Sequence, residues 1–499
     1  NDNVTLCATT LILAQNIAIG SGTLRLQATT GSINQTGGAV TANTLGMRSL
    51  TSINLSSATN DVATLAAAAG TTLTYADANG FAIGSVSASA CFTPNVTGLT
   101  ADGDIELCLT TGNLDINAAI DAGANTVRLQ TGGGGITQNA SGIITAGSLG
   151  AHATGNVDLN AAVNKVATTF SARSSTSGVV EFRNGNGFTL GAVSNGTCFV
   201  ATTGVTTQAG AVDLLTTTGA ITLTNATRAG GTNSVTMTAE ATINGAGLVT
   251  ANTVDLNAVS GIGNTTAVNL AASNITANTT NDNIDLNNGL GSATLVGTLT
   301  TGVGNILFDQ TGGGAVTFTT VTTGTGNVGL TAAGADLTLG TITAGGTTQD
   351  ATVTTTNSGN IIVGSVTAAM DVTMTSAGSI IDNANDSTTD ITGNLVTLTA
   401  VSGVGATGGN GSLDSAADQL DVTVTGAGLI HLNEADAVEL LAIDTANGSI
   451  TVTAAGTITA TNVNSSATDN NTNDISLTTT SGNILVGFIN AGVMNDVDL

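Results

Sequence analysis

The chain has 499 residues, among them 66 Gly, one Pro, one Tyr and no Trp, and only 8% of its residues are charged although 41% are hydrophobic. Its net charge of −26 and its seven basic residues argue against nucleic acid and anionic membranes as partners, because both need basic clusters. No apolar run is long enough to span a bilayer, so we expect no membrane insertion.

The charge is unevenly distributed along the chain. All seven Lys and Arg lie in the segment 1–228, which carries a net charge of −4, whereas the segment 229–499 carries −22. One interpretation is that the acidic residues keep the protein soluble. The alternative is that divalent cations bridge the acidic groups.

Two stretches about a hundred residues apart are copies of one another. Residues 23–35 (TLRLQATTGSINQ) match 126–138 (TVRLQTGGGGITQ), and residues 80–92 (GFAIGSVSASACF) match 187–199 (GFTLGAVSNGTCF). The offset drifts only from 103 to 107, so one long unit is repeated with small insertions. Repetition at a fixed period predicts an array that presents surface.

Short alternating apolar runs bounded by Gly, Asn or Ser predict strands, and helix signals are almost absent. Three such strands make a coil of roughly 20–25 residues, the size of a parallel β-solenoid repeat, and the chain then holds roughly 20–25 coils. A β-sandwich is the alternative, and it would need hairpin turns and a more aromatic core. In the first unit, strands are predicted to begin near residues 24, 33, 40, 45, 53, 62 and 73.

A recurring apolar-x-apolar-Gly-x-apolar pattern predicts a bend between two short strands at the corner of a coil, because Gly tolerates conformations that other residues avoid. The pattern occurs at Phe81–Val86, Phe188–Val193, Leu337–Ile342, Ile361–Val366 and Ile484–Ile489.

The repeats divide the chain into two parts without a linker. Residues 1–215 hold the two long repeat units. Residues 216–499 are predicted to continue the same solenoid with more divergent, acidic repeats and no independent globular domain. The chain starts and stops in mid-repeat, and we expect either a segment of a longer fibre or subunits that join end to end.

The repeats resemble those of large bacterial β-helix proteins of the filamentous-haemagglutinin type, which are secreted by two-partner or autotransporter routes. The residues that carry the resemblance include SINQTGGAVTANTLG (32–46), YADANGFAIGSV (75–86) and AVSGVGA (400–406). The resemblance implies right-handed winding and display on the cell surface. The family's amino-terminal secretion domain is not recognisable in this sequence.

The four cysteines are candidates for disulfides. Cys91 and Cys108 are separated by close to one coil of sequence, which predicts a bond between neighbouring rungs in an oxidising extracellular location. Four inert buried thiols are the alternative. Cys7 and Cys198 are then left over, and we expect them to be available to another segment or subunit.

Candidate catalytic groups argue against an enzyme. His152 and His431, the two histidines, are far apart and expected in turns or on the surface, so no nucleophile–histidine arrangement is available. Paired acids can hydrolyse glycosides when they converge, whereas acids two apart on a strand share its solvent face. The acid pairs are Asp102/Asp104, Glu434/Asp436 and Asp496/Asp498.

We expect no cofactor. Weak calcium binding at residues 383–390 (NANDSTTD) is an open alternative, although the Gly-Gly-x-Gly-x-Asp pattern of calcium-binding nonapeptides is missing. Thr-x-Thr triplets such as 317–319 order water at ice only when they align on successive coils, and in the sequence the copies look scattered.

These observations predict a secreted, non-enzymatic β-solenoid that serves as a structural fibre or adhesin stalk on a bacterial surface and self-associates. A surface adhesin that binds host or environmental glycans is the alternative. An S-layer-like coat, a polysaccharide-acting β-helix enzyme and an ice-binding solenoid are minor alternatives.

Overall fold

The computed structural model describes residues 3–57, 59–408, 410–465, 473–492 and 497–499. It is a β-solenoid of about 22 turns with parallel strands, which confirms the predicted all-β fold class and number of coils. The described residues form no helix, and therefore none that is long and apolar enough to cross a membrane.

The chain divides into two compact units, Asn1–Ala258 and Val259–Leu499. The predicted division by repeat type, 1–215 and 216–499, concerns the sequence and stays a prediction. The strands of the first unit are β1 (Val4–Ala8), β2 (Leu11–Leu13), β3 (Ile17–Ala18), β4 (Thr23–Ala28), β5 (Ile33–Gln35), β6 (Val40–Ser49), β7 (Ile53–Leu55), β8 (Asp61–Ala69), β9 (Leu73–Asp77), β10 (Phe81–Ile83), β11 (Ser85–Val86), β12 (Val96–Thr97), β13 (Leu99–Ala101), β14 (Ile105–Leu109), β15 (Leu114–Ile116), β16 (Ile120–Asp121), β17 (Thr126–Thr131), β18 (Ile136–Gln138), β19 (Ile144–Ala153), β20 (Val157–Ser174), β21 (Val180–Asn184), β22 (Phe188–Leu190), β23 (Ala192–Val193), β24 (Thr202–Thr203), β25 (Val205–Thr207), β26 (Val212–Thr216), β27 (Ile221–Leu223), β28 (Thr227–Arg228), β29 (Ser234–Ala239), β30 (Ile243–Asn244) and β31 (Val249–Ala258).

The strands of the second unit are β32 (Val268–Asn281), β33 (Ile284–Asn288), β34 (Thr294–Val303), β35 (Ile306–Gln310), β36 (Val316–Thr325), β37 (Val328–Ala333), β38 (Leu337–Ala344), β39 (Ala351–Thr356), β40 (Ile361–Val363), β41 (Ser365–Ala368), β42 (Val372–Ser376), β43 (Ser379–Asp382), β44 (Ile391–Ala400), β45 (Gly403–Val404), β46 (Leu413–Val424), β47 (Ile430–Glu434), β48 (Val438–Thr445), β49 (Ile450–Ala454), β50 (Ile458–Ala460), β51 (Val463–Asn464), β52 (Ile475–Thr479), β53 (Ile484–Val486), β54 (Ile489–Asn490) and β55 (Val497–Asp498).

Apolar side chains stack in columns that run through successive turns. Val4, Leu24, Leu45 and Leu65 pair in register on β1, β4, β6 and β8, and the three leucines are fully buried. Because successive residues of a strand point to opposite faces, the alternating pattern places one side chain in the core and the next outside it. Burying each such leucine contributes roughly 1.5–3 kcal/mol.

The predicted strand starts agree with the structure except near residue 45. There β6 runs without interruption from Val40 to Ser49, so two predicted strands are one. The Gly pattern has three different outcomes. Gly340 lies inside the single strand β38, Gly364 separates β40 from β41, and at Gly84 the chain leaves the solenoid.

Buried asparagines pair the backbone at equivalent corners of the two long repeats. Asn60 accepts the N–H of Val40 (2.9 Å) on Oδ1, and its Nδ2 donates to the carbonyl of Ala76 (3.1 Å). Asn164, at the corresponding corner of the second repeat, accepts the N–H of Ile144 (2.9 Å) in the same way. These amides pair backbone N–H and C=O groups at the ends of strands, which would otherwise be buried without a partner. This explains why polar side chains occur inside the narrow core.

Candidate functional site: two loops clasped to the solenoid

Two loops leave the first unit at equivalent positions of the long repeat. We call residues 84–98 the first loop and residues 191–204 the second loop. Each neck is closed by one backbone bond, from the N–H of Gly98 to the carbonyl of Gly84 and from Gly204 to Gly191, both 2.7 Å. Each loop begins and ends in a short antiparallel pair, β11 with β12 and β23 with β24.

Disulfides fasten both loops to strands that come much earlier in the chain. Cys7 of β1 bonds Cys91 of the first loop, and Cys108 of β14 bonds Cys198 of the second loop. The predicted Cys91–Cys108 bond is therefore wrong, and Cys7 and Cys198 are not left over. The first loop lies over the preceding turns, where Arg25 and Gln27 contact its backbone. Cys91 therefore lies beside Cys7 rather than beside Cys108.

The two bonds are copies of each other. Cys108 follows Cys7, and Cys198 follows Cys91, at close to the offset of the long repeat. The first loop crosses the stack β1–β4–β6–β8, and the second crosses β14–β17–β19–β20. Three strand spacings amount to about 14 Å, so each bond ties together four successive strands of the stack.

Each loop is seated on a glycine of the strand below it. Val86, Phe92 and Val96 of the first loop form a small buried cluster with Ala66 of β8. A Cβ on Gly46 would lie 2.6 Å from Cγ1 of Val86, so only glycine permits this approach. Gly150 plays the same part under the second loop. A Cβ there would lie 2.7 Å from Cζ of Phe199 and 2.8 Å from Cγ1 of Val193.

An arginine supports each loop from the solenoid. Arg25 donates from Nε to the carbonyl of Ser87 (2.9 Å), and Arg128 donates from Nε to the carbonyl of Ser194 (3.1 Å). Arg128 also forms an ion pair with Asp104 (2.7 Å). A glutamine completes each support, with Oε1 of Gln27 accepting the N–H of Thr93 (3.1 Å) and Oε1 of Gln130 accepting the N–H of Val200 (2.8 Å).

The second loop alone rests on a buried carboxylate. Glu106 is 5% exposed and accepts the N–H groups of Thr197 (2.9 Å), Cys198 (2.6 Å) and Phe199 (2.8 Å). The equivalent residue under the first loop is Thr5, because Thr5 pairs with Arg25 as Glu106 pairs with Arg128. Hydrogen bonds to an ionised acceptor are stronger than neutral ones, so the second loop has an additional anchor.

Two of the three candidate acid pairs, Asp102/Asp104 and Glu434/Asp436, lie entirely among the described residues. Asp104 is engaged by Arg128, and Glu434 is buried and accepts from Ser415 (2.6 Å). Burial raises the pKa of Glu434 to about 7. Asp436 is exposed, so the expectation that Glu434 and Asp436 share the solvent face is wrong: Glu434 ends β47 on its buried side. Asp496, predicted to pair with the exposed Asp498, lies outside the described residues.

The histidines lie on strands rather than in turns, which corrects the turn prediction. His152 is in β19, half-buried, and burial together with the charge of Arg173 on the next turn lowers its pKa. His431 is in β47, and its Nδ1 lies 2.6 Å from the carbonyl oxygen of Ala406.

Three aspartates from two turns meet at a place that we call the acidic corner, formed by Asp382, Asp390 and Asp414. Asp390 belongs to the segment 383–390 that the sequence offered for calcium, whereas the other two lie outside it. Burial and the neighbouring negative charges of Asp382, Asp414 and Asp386 raise the pKa of Asp390 to about 7.

Threonines of the second unit, together with Ser365, align in two columns on successive turns, so the expectation that they are scattered is wrong for this region. Their side chains are exposed or half-buried on the outer face of β34, β36, β38 and β41. One column is Thr298, Thr320, Thr341 and Ser365, and the other is Thr300, Thr322, Thr343 and Thr367.

Comparisons with protein-family models, with curated proteins and with solved structures find no match for this chain.

Proposed function

We propose that this protein is a secreted, non-enzymatic structural fibre or adhesin stalk of a bacterial surface. The observation that supports this most strongly is the pair of disulfides that tie loops across four stacked strands each. Disulfides persist in oxidising compartments and are rare in the cytosol, which supports an extracellular location.

The position of the two bonds suits a protein that carries load. Each turn of a solenoid contacts only its neighbours, so a pulled chain peels away turn by turn. The bonds join residues that are 84 and 90 positions apart in sequence. A force that reaches these turns cannot extend the enclosed residues while the bonds remain intact, and a stalk would gain resistance to unravelling.

Single-molecule pulling tests the mechanical part of this proposal. Reduction is expected to add a contour of roughly 30 nm for each bond, because an extended chain spans about 3.3–3.6 Å per residue. The variant Cys7→Ala/Cys91→Ala serves as a matched control, since it keeps the second bond and should gain only one such step. Equal contour lengths for oxidised and reduced protein would contradict the proposal.

Location and assembly are tested on the cells that produce the protein. We expect antibody labelling of intact cells, fibres in electron micrographs, and no alkylation of the four cysteines without reductant. An intracellular protein with four reactive thiols would overturn the proposal. Saturable binding to glycans, if it is found, would assign the adhesin form rather than the purely structural one.

A second candidate function, binding to ice, is favoured by the two threonine columns. Strand spacing places neighbouring threonines ~4.8 Å apart between turns and ~6.6 Å apart along a strand, which makes a regular lattice of hydroxyl and methyl groups. Thermal hysteresis measures this function directly. Thr320→Lys/Thr322→Lys should abolish any hysteresis, whereas Thr451→Lys, outside the columns, should keep it. No hysteresis in the unmodified protein removes this candidate.

A further inference from the structure

The acidic corner brings three buried carboxylates from two successive turns together. Asp382 ends β43, Asp390 immediately precedes β44, and Asp414 lies in β46 of the next turn. The three residues are 6%, 2% and 3% exposed, and one carboxylate oxygen of each lies within 4.8 Å of the other two.

Backbone contacts fix the positions of these carboxylates. Asp382 accepts the N–H groups of Ala384 (2.7 Å) and Asp386 (3.1 Å), which folds the loop over the corner. Asp390 accepts the N–H of Asp414 on Oδ2 (2.9 Å), and the N–H of Asp390 donates to the carbonyl of Asp414 (2.8 Å). The two turns are therefore joined at the corner before any ligand is considered.

Asp414 presents an oxygen that none of the described residues satisfies. Its Oδ1 accepts from Nδ2 of Asn433 (2.6 Å), whereas Oδ2 is buried and has no hydrogen-bond partner. A buried carboxylate oxygen without a partner is strongly unfavourable, so this atom indicates a ligand that supplies positive charge.

The second unit offers no basic side chain to neutralise the corner, because residues 229–499 contain neither Lys nor Arg. His431 is the one histidine of this part of the sequence, and its Nδ1 faces the carbonyl of Ala406. Buried ionised carboxylates at this separation repel one another, and a cation among them would remove that repulsion.

We propose that Asp382, Asp390 and Asp414 bind one calcium ion. Calcium takes six to eight oxygen ligands at about 2.3–2.6 Å, so two of its ligands lie at most about 5.2 Å apart, and three carboxylate oxygens within 4.8 Å of one another can share one ion. Magnesium requires nearly ideal octahedral geometry and gives up its water reluctantly, which fits this irregular buried corner less well. The ion ties the turn of β43 to that of β46, and the inference does not depend on the fibre function.

The test is calcium titration of the full-length protein after removal of metals with a chelator. Isothermal titration calorimetry is expected to show one saturable site per chain, and calcium should raise the melting temperature followed by circular dichroism. Asp390→Asn and Asp414→Asn should each weaken calcium binding at least tenfold. Asp421→Asn, further along β46, is the matched control and should leave the affinity unchanged.

Folding of the variants is checked by far-ultraviolet circular dichroism, and Asp382→Asn is the third site variant, because an amide keeps one acceptor oxygen for the loop. Absence of a saturable calcium site in the unmodified protein overturns the proposal. Undiminished binding in Asp390→Asn, Asp414→Asn and Asp382→Asn overturns its location. Tighter binding of magnesium than of calcium, in a parallel titration with magnesium chloride, overturns the choice of ion.

Discussion

The first copy of the long repeat buries Tyr75 and Asp77 where the second copy has Phe182 and Asn184. In the first copy, the phenol of Tyr75 donates to Oδ2 of Asp77 (2.5 Å), and the same oxygen accepts the N–H of Val62 (3.2 Å). The hydroxyl and the acid occur together in one copy and are absent together in the other.

The second copy satisfies the same corner with an amide alone. Asn184 accepts the N–H of Val166 (2.9 Å) and donates to its carbonyl (2.8 Å). The corner therefore requires an acceptor for a strand N–H, and the choice between acid and amide decides whether the corner titrates.

The supports beneath the two loops also differ, and here the additional charged groups belong to the second copy. Glu106 and the Arg128–Asp104 ion pair give the second loop a charged support, whereas Thr5 takes the place of Glu106 under the first loop. Both loops share a disulfide, an arginine, a glutamine and an apolar contact, so the first loop depends more on its disulfide only to the extent that it lacks the contacts of Glu106.

Removal of the disulfides is expected to have the largest effect. Cys7→Ala/Cys91→Ala and Cys108→Ala/Cys198→Ala should each cost about 2–5 kcal/mol of unfolding free energy, because each bond closes a long loop in the unfolded chain. Limited proteolysis should then cut the first loop quickly, while Glu106 keeps the second loop protected. Equal cleavage of the two loops would show that the charged support of the second loop is unimportant.

The buried carboxyl group of Asp77 in the first copy should make the free energy of unfolding depend on pH. Burial raises the pKa of Asp77 from 3.8 to about 6, so the folded state holds this proton more tightly than the unfolded state. The unfolding free energy should therefore fall as the pH rises from about 4 to 6, by about 3 kcal/mol for this group.

Denaturant unfolding of Tyr75→Phe/Asp77→Asn, which copies the second repeat, measures that effect. Compared with the unmodified protein, the variant should gain relative stability between pH 4 and pH 7. Asn184→Asp is the reciprocal control and should increase the dependence on pH. A constant difference between variant and unmodified protein across this range would contradict the assignment.

Glu106→Thr should give the second loop the chemistry of the first. Three backbone N–H groups lose a common acceptor, and we expect a loss of about 1–3 kcal/mol. Under reducing conditions, both loops should then be cut at similar rates. Glu106→Gln keeps one acceptor oxygen and should show an intermediate rate. Continued protection of the second loop in Glu106→Thr would mean that the contacts of Val193 and Phe199 with Gly150 are enough to hold the loop in place.

The ion pair beneath the second loop is expected to have the smallest effect. Asp104→Asn should lower the unfolding free energy by about 0.2–1 kcal/mol, because the Asp104 side chain is 41% exposed and water screens the pair. The loss should shrink in high salt when unfolding is measured at two ionic strengths. Asp102→Asn serves as the control and should have no effect, and a loss that is independent of salt would contradict an electrostatic origin.

The strands were predictable from the sequence because the alternation of apolar and polar residues is local. Leu24, Leu45 and Leu65 recur at the length of one coil, so period and bounding turns suffice to find the solenoid. The pairing of the cysteines was not predictable from spacing, since it depends on the direction in which a loop leaves Gly84. The repeat alignment of Cys7 with Cys108 and of Cys91 with Cys198 held the missing signal.

The acidic corner and the threonine columns depend on register between turns. Asp390 stands in a segment that composition marks as acidic, but Asp414 comes a whole turn later, and only the pairing of β44 with β46 brings the two together. Coil lengths vary from turn to turn, so the step from Thr343 to Thr367 is longer than the step from Thr320 to Thr341. A fixed period therefore hides the alignment.

The two disulfides do not interlace, because both cysteines of the first bond precede both cysteines of the second. Each bond therefore closes a segment of its own, 7–91 or 108–198, and the two segments share no residue. The first segment contains both partners of its bond, so it can fold and be oxidised without Cys108 or Cys198.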